Sequence, residues 1–290
     1  MTCLAFNIDE SCKNSNKLDQ VVAAAKEAIN IAQNAISRID YSRNPGTMML
    51  DLFGNDSPGT FEEVKKCYQD TVAKSGIYSE SGGEDNLLVY CGSAHLRLID
   101  RTSGTYRDPL HKYVDIRGII PADNSDDACS SNAEAFGYPI PGDGKPGFIV
   151  VLCQTAFDKS DMNDNNMPIL LGGWQFDGNL KNVNAKIPPP EVGVDFIKKY
   201  LSIKILHEMM HVGDCIKLPR QLPESKKLEQ YGYHRIMEKN GDDYILSPKD
   251  KQSNADSYTL AAGGKCHPAI AVSSKTNIAR NSVVSTCMVL

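Results

Sequence analysis

The stretch VGVDFIKKYLSIKILHEMMHVG, residues 192–213, carries more structural information than any other part of the chain. It follows Pro188-Pro189-Pro190, which stops any earlier element, and Gly213 supplies a natural helix end. Val194, Ile197, Leu201 and Ile205 recur at helical spacing, and Phe196, Tyr200, Ile203 and Leu206 widen the same face. A helix apolar over so much of its circumference is buried. Its last turn nevertheless carries His207-Glu208-Met209-Met210-His211. Residues four apart stand one turn apart on one face, so both imidazoles can reach a single metal ion, with Glu208 projecting beside it. Two histidines and a glutamate packed in a core without partners would be costly. The pattern therefore predicts one zinc ion held by His207 and His211, with Glu208 as the general base acting on water.

Working outward, apolar residues at helical spacing predict a helix over 17–39 and a second over 60–74. Short β-rich runs bounded by Gly, Pro or Asp predict strands at 86–91, 112–116 and 148–153. The segments 121–131, 138–147 and 158–167 read as loops, 214–252 as polar and irregular, and 255–262 as a short helix. Helices, then strands, then helices again give an α+β fold: N-terminal helices, a small mixed sheet and the buried histidine helix. One domain over 1–290 is expected, with a helical part at 1–80 and a sheet and zinc-site part at 81–290. The 148–153 strand is expected to be the sheet edge on which an extended peptide could lie.

Composition narrows the function. With 290 residues, 41% hydrophobic and 23% charged, the chain can bury a sizeable core. Net charge is −5 without a basic face, which argues against nucleic acid as a partner. The apolar run at 148–153 falls far short of the roughly 20 residues of a membrane span. A monomer is expected. Nine cysteines (Cys3, Cys12, Cys67, Cys91, Cys129, Cys153, Cys215, Cys266 and Cys287) are scattered without a CxxC pair, a distribution that fits long-range disulfides in an oxidising compartment. No hydrophobic leader follows Met1, so the sequence reads as the mature form of an extracellular protein with an added Met. Cys287-Met288-Val289-Leu290 has the form of a prenylation box, which a secreted chain would not use.

Catalytic zinc takes three protein ligands and a water, so a third ligand is needed. Asp214 and Lys217 stand where a metzincin would place Gly and His, and none of Glu224, Glu229 and Glu238 lies in a clean helical stripe. Asp214, Asp242, Asp243, Asp256 and His234 remain. Asp256 stands out, as the one carboxylate at the start of a short apolar helix, where it could equally be an N-terminal cap. Together with Asn254-Ala255-Asp256-Ser257-Tyr258, the HExxH segment resembles the deuterolysin or aspzincin family of fungal metalloendopeptidases, which includes the peptidyl-Lys metalloendopeptidases. The resemblance implies a zincin-like fold, His207, His211 and Asp256 as zinc ligands and Glu208 as catalytic base. The family's GTxxD motif is missing here.

The expected function is a secreted zinc metalloendopeptidase acting on peptide or protein substrates. Tyr231, Tyr233 and Tyr258 are candidates to hydrogen-bond the substrate or the oxyanion. The alternative is a zinc-binding secreted effector or allergen-like protein with little proteolysis, motivated by the missing GTxxD aspartate. A prenylated intracellular zinc hydrolase rests only on the absent leader and the C-terminal tetrapeptide.

Overall fold

The structure is a computed structural model, and it describes residues 7–39, 47–76, 87–111, 113–122, 124–140, 147–160, 162, 197–212, 216, 224, 229–240 and 243–265. In chain order these form β1 (Asn7–Ile8), α1 (Glu10–Asn14), α2 (Leu18–Arg38), α3 (Thr47–Phe53), α4 (Pro58–Gly76), β2 (Leu87–Cys91), β3 (Arg97–Asp100), β4 (Thr105–Asp108) and β5 (Val114–Ile116). They continue through a 3-10 turn at Ala128–Ser130, β6 (Ala135–Ile140), β7 (Gly147–Leu152), α5 (Gln154–Asp158), α6 (Leu201–Met210), α7 (Tyr233–Ile236), β8 (Lys239–Asn240), β9 (Asp243–Tyr244), α8 (Pro248–Gln252) and α9 (Ala255–Lys265). The fold is mixed α+β.

The central sheet has the order β1-β2-β7-β6, parallel except for the antiparallel β6. Every residue of β7 is buried, and alternate side chains serve opposite faces. Phe148, Val150 and Leu152 join a core shared with α2, α4, α6 and α9, while Ile149 and Val151 join a second core under the sheet β3-β4-β5. The first core is built on an alanine-rich face of α2, including Ala24, Ala25, Ala28, Ala32 and Ala35. Such small side chains allow α6 and α4 to pack closely against α2, so the N-terminal helices and the histidine helix share one interior. Tyr200, Leu201, Ile205, Leu206, Met209 and Met210 are fully buried there. At roughly 1.5–3 kcal/mol for each large apolar side chain, this packing fixes α6 far more firmly than helix propensity could.

Two disulfides whose cysteines both lie among the described residues bind the layers. Cys12–Cys91 ties α1 to the end of β2, and Cys129–Cys153 ties the 3-10 turn to the end of β7. Cys67, in α4, is disulfide-bonded as well. No helix among the described residues is long and apolar enough to cross a membrane.

The expected helices at 17–39 and 60–74 correspond to α2 and α4, and that at 255–262 to α9. Two expectations need correction. The strand at 148–153 is not the sheet edge, because β7 is paired on both sides, to β2 and to β6. Among the described residues the sheet ends at β1 on one side and at β6 on the other, and the sequence placed Tyr138, Pro139 and Ile140 of β6 in a loop. Cys153 N–H donates to the Glu134 carbonyl, so Phe136, Tyr138 and Ile140 are the residues hydrogen-bonded to β7. The backbone groups of Ala135, Gly137 and Pro139 then point to the outer side. Proline is tolerated because its missing N–H falls on that side. Of the histidine helix expected from Val192, α6 covers Leu201–Met210 with His211 as its C-cap, while residues 192–196 and Gly213 lie outside the described residues.

Candidate metal centre

His207 and Glu208 lie in the last turn of α6, and His211 caps its C-terminus. All three are buried, with 7%, 3% and 5% exposure. The two imidazole rings are 5.4 Å apart between centroids. Their Nε2 atoms face one oxygen, Glu229 Oε2, at 3.5 Å from His207 and 3.3 Å from His211. Both Nε2 atoms and Glu229 Oε2 are buried without a hydrogen bond of ordinary geometry. Three ligand atoms about 2.0–2.1 Å from a tetrahedral zinc ion lie roughly 3.3 Å from one another, and the two nitrogen–oxygen distances match that spacing, with all three atoms within 4.8 Å of one another. Among the described residues, His207, His211 and Glu229 form the group that could hold a metal ion.

The loop at 229–232 is held in place by the start of α9, residue by residue. The Asn254 side chain accepts from Gln230 N–H (2.9 Å) and donates to the Gln230 carbonyl (3.0 Å). Ala255 N–H donates to Glu229 Oε1, which leaves Oε2 turned toward the imidazoles. Asp256 Oδ2 accepts from Gly232 N–H, at a glycine whose φ of +98° suits few other residues. Asp256 Oδ1 accepts from His207 Nδ1 at 2.7 Å, and Lys198 Nζ lies 3.2 Å from Oδ2. Asn254, Ala255 and Asp256 therefore act together as a clamp on the carboxylate-bearing loop.

Asp256 thus occupies a different place from the one expected. It stands against the outer nitrogen of His207, where it fixes the ring orientation and tautomer and leaves Nε2 to face inward. The inward-facing carboxylate belongs to Glu229, a residue the sequence gave no reason to prefer because it lies in a loop without helical periodicity. Its only local signal is the neighbouring Gly232 turn. Of the other candidates, His234 is exposed and Glu224 is exposed with its N–H on Asp250. The side chain of Asp243, all of Asp214, Cys215 and Asp242, and the Cys287-Met288-Val289-Leu290 tetrapeptide lie outside the described residues.

Charges are tightly coupled here. Burial pushes His207 toward its neutral form, but the charge of Glu229 and the hydrogen bond to Asp256 outweigh it and hold its pKa well above the ordinary value. Burial pushes Glu229 up, and the charges of His207 and His211 prevail to hold it well below the carboxylate range. For Asp256, too, burial is outweighed, by the His207 hydrogen bond and charge, Lys198 and Gly232 N–H, and its pKa is lowered. A cation would take over the part that protons play among these groups.

Of the three tyrosines, Tyr231 stacks on the His207 ring (5.3 Å between centroids) and lines the cleft over the site. Tyr233 instead donates to Asp51 at 2.8 Å. Tyr258 is buried against Phe53 and Tyr68 and donates to the Gln252 carbonyl at 2.9 Å, so its hydroxyl is held within the core. Burial raises its pKa.

The cleft encloses about 790 Å³. It is lined by residues that include Ile119 and Ile120, the start of β6, and His207, Glu208 and Tyr231. Glu208 Oε2 comes so close to Gly137 of β6 that a Cβ there would stand 3.2 Å from it, and 2.5 Å from the Phe148 ring. Compared with protein-family models, curated proteins and solved structures, the chain matches none of them.

Proposed function

We propose that the chain is a secreted zinc-dependent metalloendopeptidase with a zincin-like active site. The observation that carries the reading is the convergence of His207 Nε2, His211 Nε2 and Glu229 Oε2 in a buried pocket, with Glu208 beside them in the lining of a cleft. The resemblance of the HExxH and Asn254-Ala255-Asp256 segments to the aspzincins supports it, with Glu229 taking the ligand place and Asp256 the orienting one. The disulfides are consistent with export to an oxidising compartment.

Zinc bound by His207, His211 and Glu229 would supply Lewis acidity, polarising a carbonyl and bringing the pKa of water near neutrality. The remaining steps belong to the chain. The outward N–H and C=O groups of Ala135 and Gly137 offer an extended peptide a strand to pair with, directly over Glu208. Glu208 takes a proton from the attacking water and delivers it to the leaving amine. Asp256 holds His207 in one tautomer throughout, and Tyr231 shields that ring from solvent.

Chelator-sensitive cleavage of denatured casein tests the reading. Glu208→Gln should bind zinc at full stoichiometry while hydrolysis falls by about 10²–10⁴. Near-normal turnover in this variant would exclude Glu208 as the base. Stoichiometric zinc without cleavage of any protein substrate would favour a metal-binding effector.

A further inference from the structure

The chain carries a net charge of −5, yet four lysines, Lys159, Lys198, Lys199 and Lys204, line the cleft that holds His207 and Glu208. The carboxylates that line it with them are Glu134, Glu208 and Asp256. Asp256 is committed to His207, and Glu208 to the reacting water in the reading above. Glu134, at the entrance to β6, is shared: its two oxygens lie 3.2 Å from Lys159 Nζ and 2.9 Å from Lys204 Nζ. Lys204 is buried to 8% exposure and also donates to the Ala156 carbonyl and Ser160 Oγ, so its position is fixed. Lys159 stays 55% exposed and lines the same cleft. Two ammonium groups around one carboxylate form a site that a second carboxylate would complete. Lys198, 34% exposed beside Asp256, presents another cation to the same space.

We infer that the cleft selects peptides carrying an acidic side chain close to the scissile bond, received by Lys159 beside Glu134 and by Lys198. This rests on the peptidase reading. The distance follows from the edge strand. Gly137 stands over Glu208 and Glu134 is three residues away, about 10 Å along a strand, so the acidic residue lies on the order of three positions from the bond cut. The apolar lining residues Ile119 and Ile120 take no part in this choice and receive neutral side chains.

Two measurements on the zinc-loaded protein test the inference. In the first, a mixed peptide library is digested and the cut sites are mapped by mass spectrometry. Asp and Glu should be enriched at least about tenfold within three positions of the bond, and Lys159→Glu should abolish or reverse the enrichment. In the second, zinc-loaded Glu208→Gln is titrated with a fluorescent peptide containing two Glu and with its counterpart containing two Lys. The acidic peptide should bind at least about tenfold more tightly, with the advantage shrinking as salt is raised. Chelator-sensitive cleavage without acidic enrichment, or equal binding of the two peptides, overturns the selectivity and leaves the peptidase reading standing. Selective binding of the acidic peptide with no cleavage of any library member does the reverse.

Discussion

Glu229→Gln separates the two carboxylates that compete for the third position on the metal. The amide oxygen can still accept from Ala255 N–H, so the loop clamp survives, but an NH₂ group replaces the oxygen that faces His207 and His211. Losing an outer partner of a ligating histidine costs about 10–100-fold in metal affinity, and losing one of three ligands costs more, so a fall of at least about 100-fold is expected. With free zinc held about 1,000-fold above the wild-type Kd, the metal adds about 4.1 kcal/mol of stability; at a 100-fold weaker Kd it adds about 1.4. The zinc-dependent increment should thus shrink by about 2.7 kcal/mol, or about 5–11 °C in melting temperature for a chain of this size. Scanning calorimetry with and without zinc reads the increment directly and cancels any change in the metal-free protein. Competition with a fluorescent chelator gives the affinity. Asp256→Asn should lose only about 10–100-fold, as an orienting partner does. Wild-type affinity in Glu229→Gln, or a larger loss in Asp256→Asn than in Glu229→Gln, would refute the assignment.

Three further outcomes follow from other parts of the molecule. Gly137→Ala places a methyl 2.5 Å from the Phe148 ring, so it should cost about 1–3 kcal/mol in a urea titration and, by crowding Glu208, slow hydrolysis beyond what stability explains. Replacing Cys129 and Cys153 by Ser opens a loop of sequence separation 24 and should cost about 3.5 kcal/mol in the same titration, with zinc stoichiometry unchanged. Lys251 is fully buried, its Nζ 2.7 Å from the Asp51 carbonyl, and burial lowers its pKa to about 8. Because the folded pKa lies below the unfolded one, the unfolded chain binds more protons between about pH 8 and 10.5, and stability attributable to this group rises across that window. Comparing wild type with Lys251→Met by chemical denaturation at pH 7.5 and 10 should show the rise in wild type and its loss in the variant; a parallel response would show that Lys251 titrates normally.

The long elements were legible because their periodicity is set by burial. Val21, Ala25, Ile31, Ala32 and Ala35, which share helical spacing in the sequence, are buried on the inward face of α2, while Val22, Ile29 and Ile36 of the same pattern are only half-buried at its margin. Strand β6 was not legible, because Pro139 falls in the Gly- and Pro-rich run 138–147 that reads as a loop, with Gly137 immediately before it. Only the edge position explains them, one by its approach to Glu208 and the other by its outward nitrogen. At the metal centre, His207, Glu208 and His211 could be found because their spacing is helical and local. Glu229 could not, since what aims it is a backbone amide 26 residues away on α9. Asp256 was noticed for its place at the start of a helix, and its closeness to the site was legible while its orientation toward the outer nitrogen was not.

The clamp between α9 and the 229–232 loop also sets an order of assembly. The backbone positions of the two histidines are set by α6, which packs on α2, while the His207 ring is oriented only by Asp256 of α9. The third donor is aimed only when Asn254, Ala255 and Asp256 arrive, and α9 in turn packs on α2, α3 and α6. A chain in which α9 has not yet docked holds an incomplete, weakly binding pair of imidazoles. In the reading proposed above, full metal affinity therefore arises late in folding, coincident with closure of the helical layer by α9.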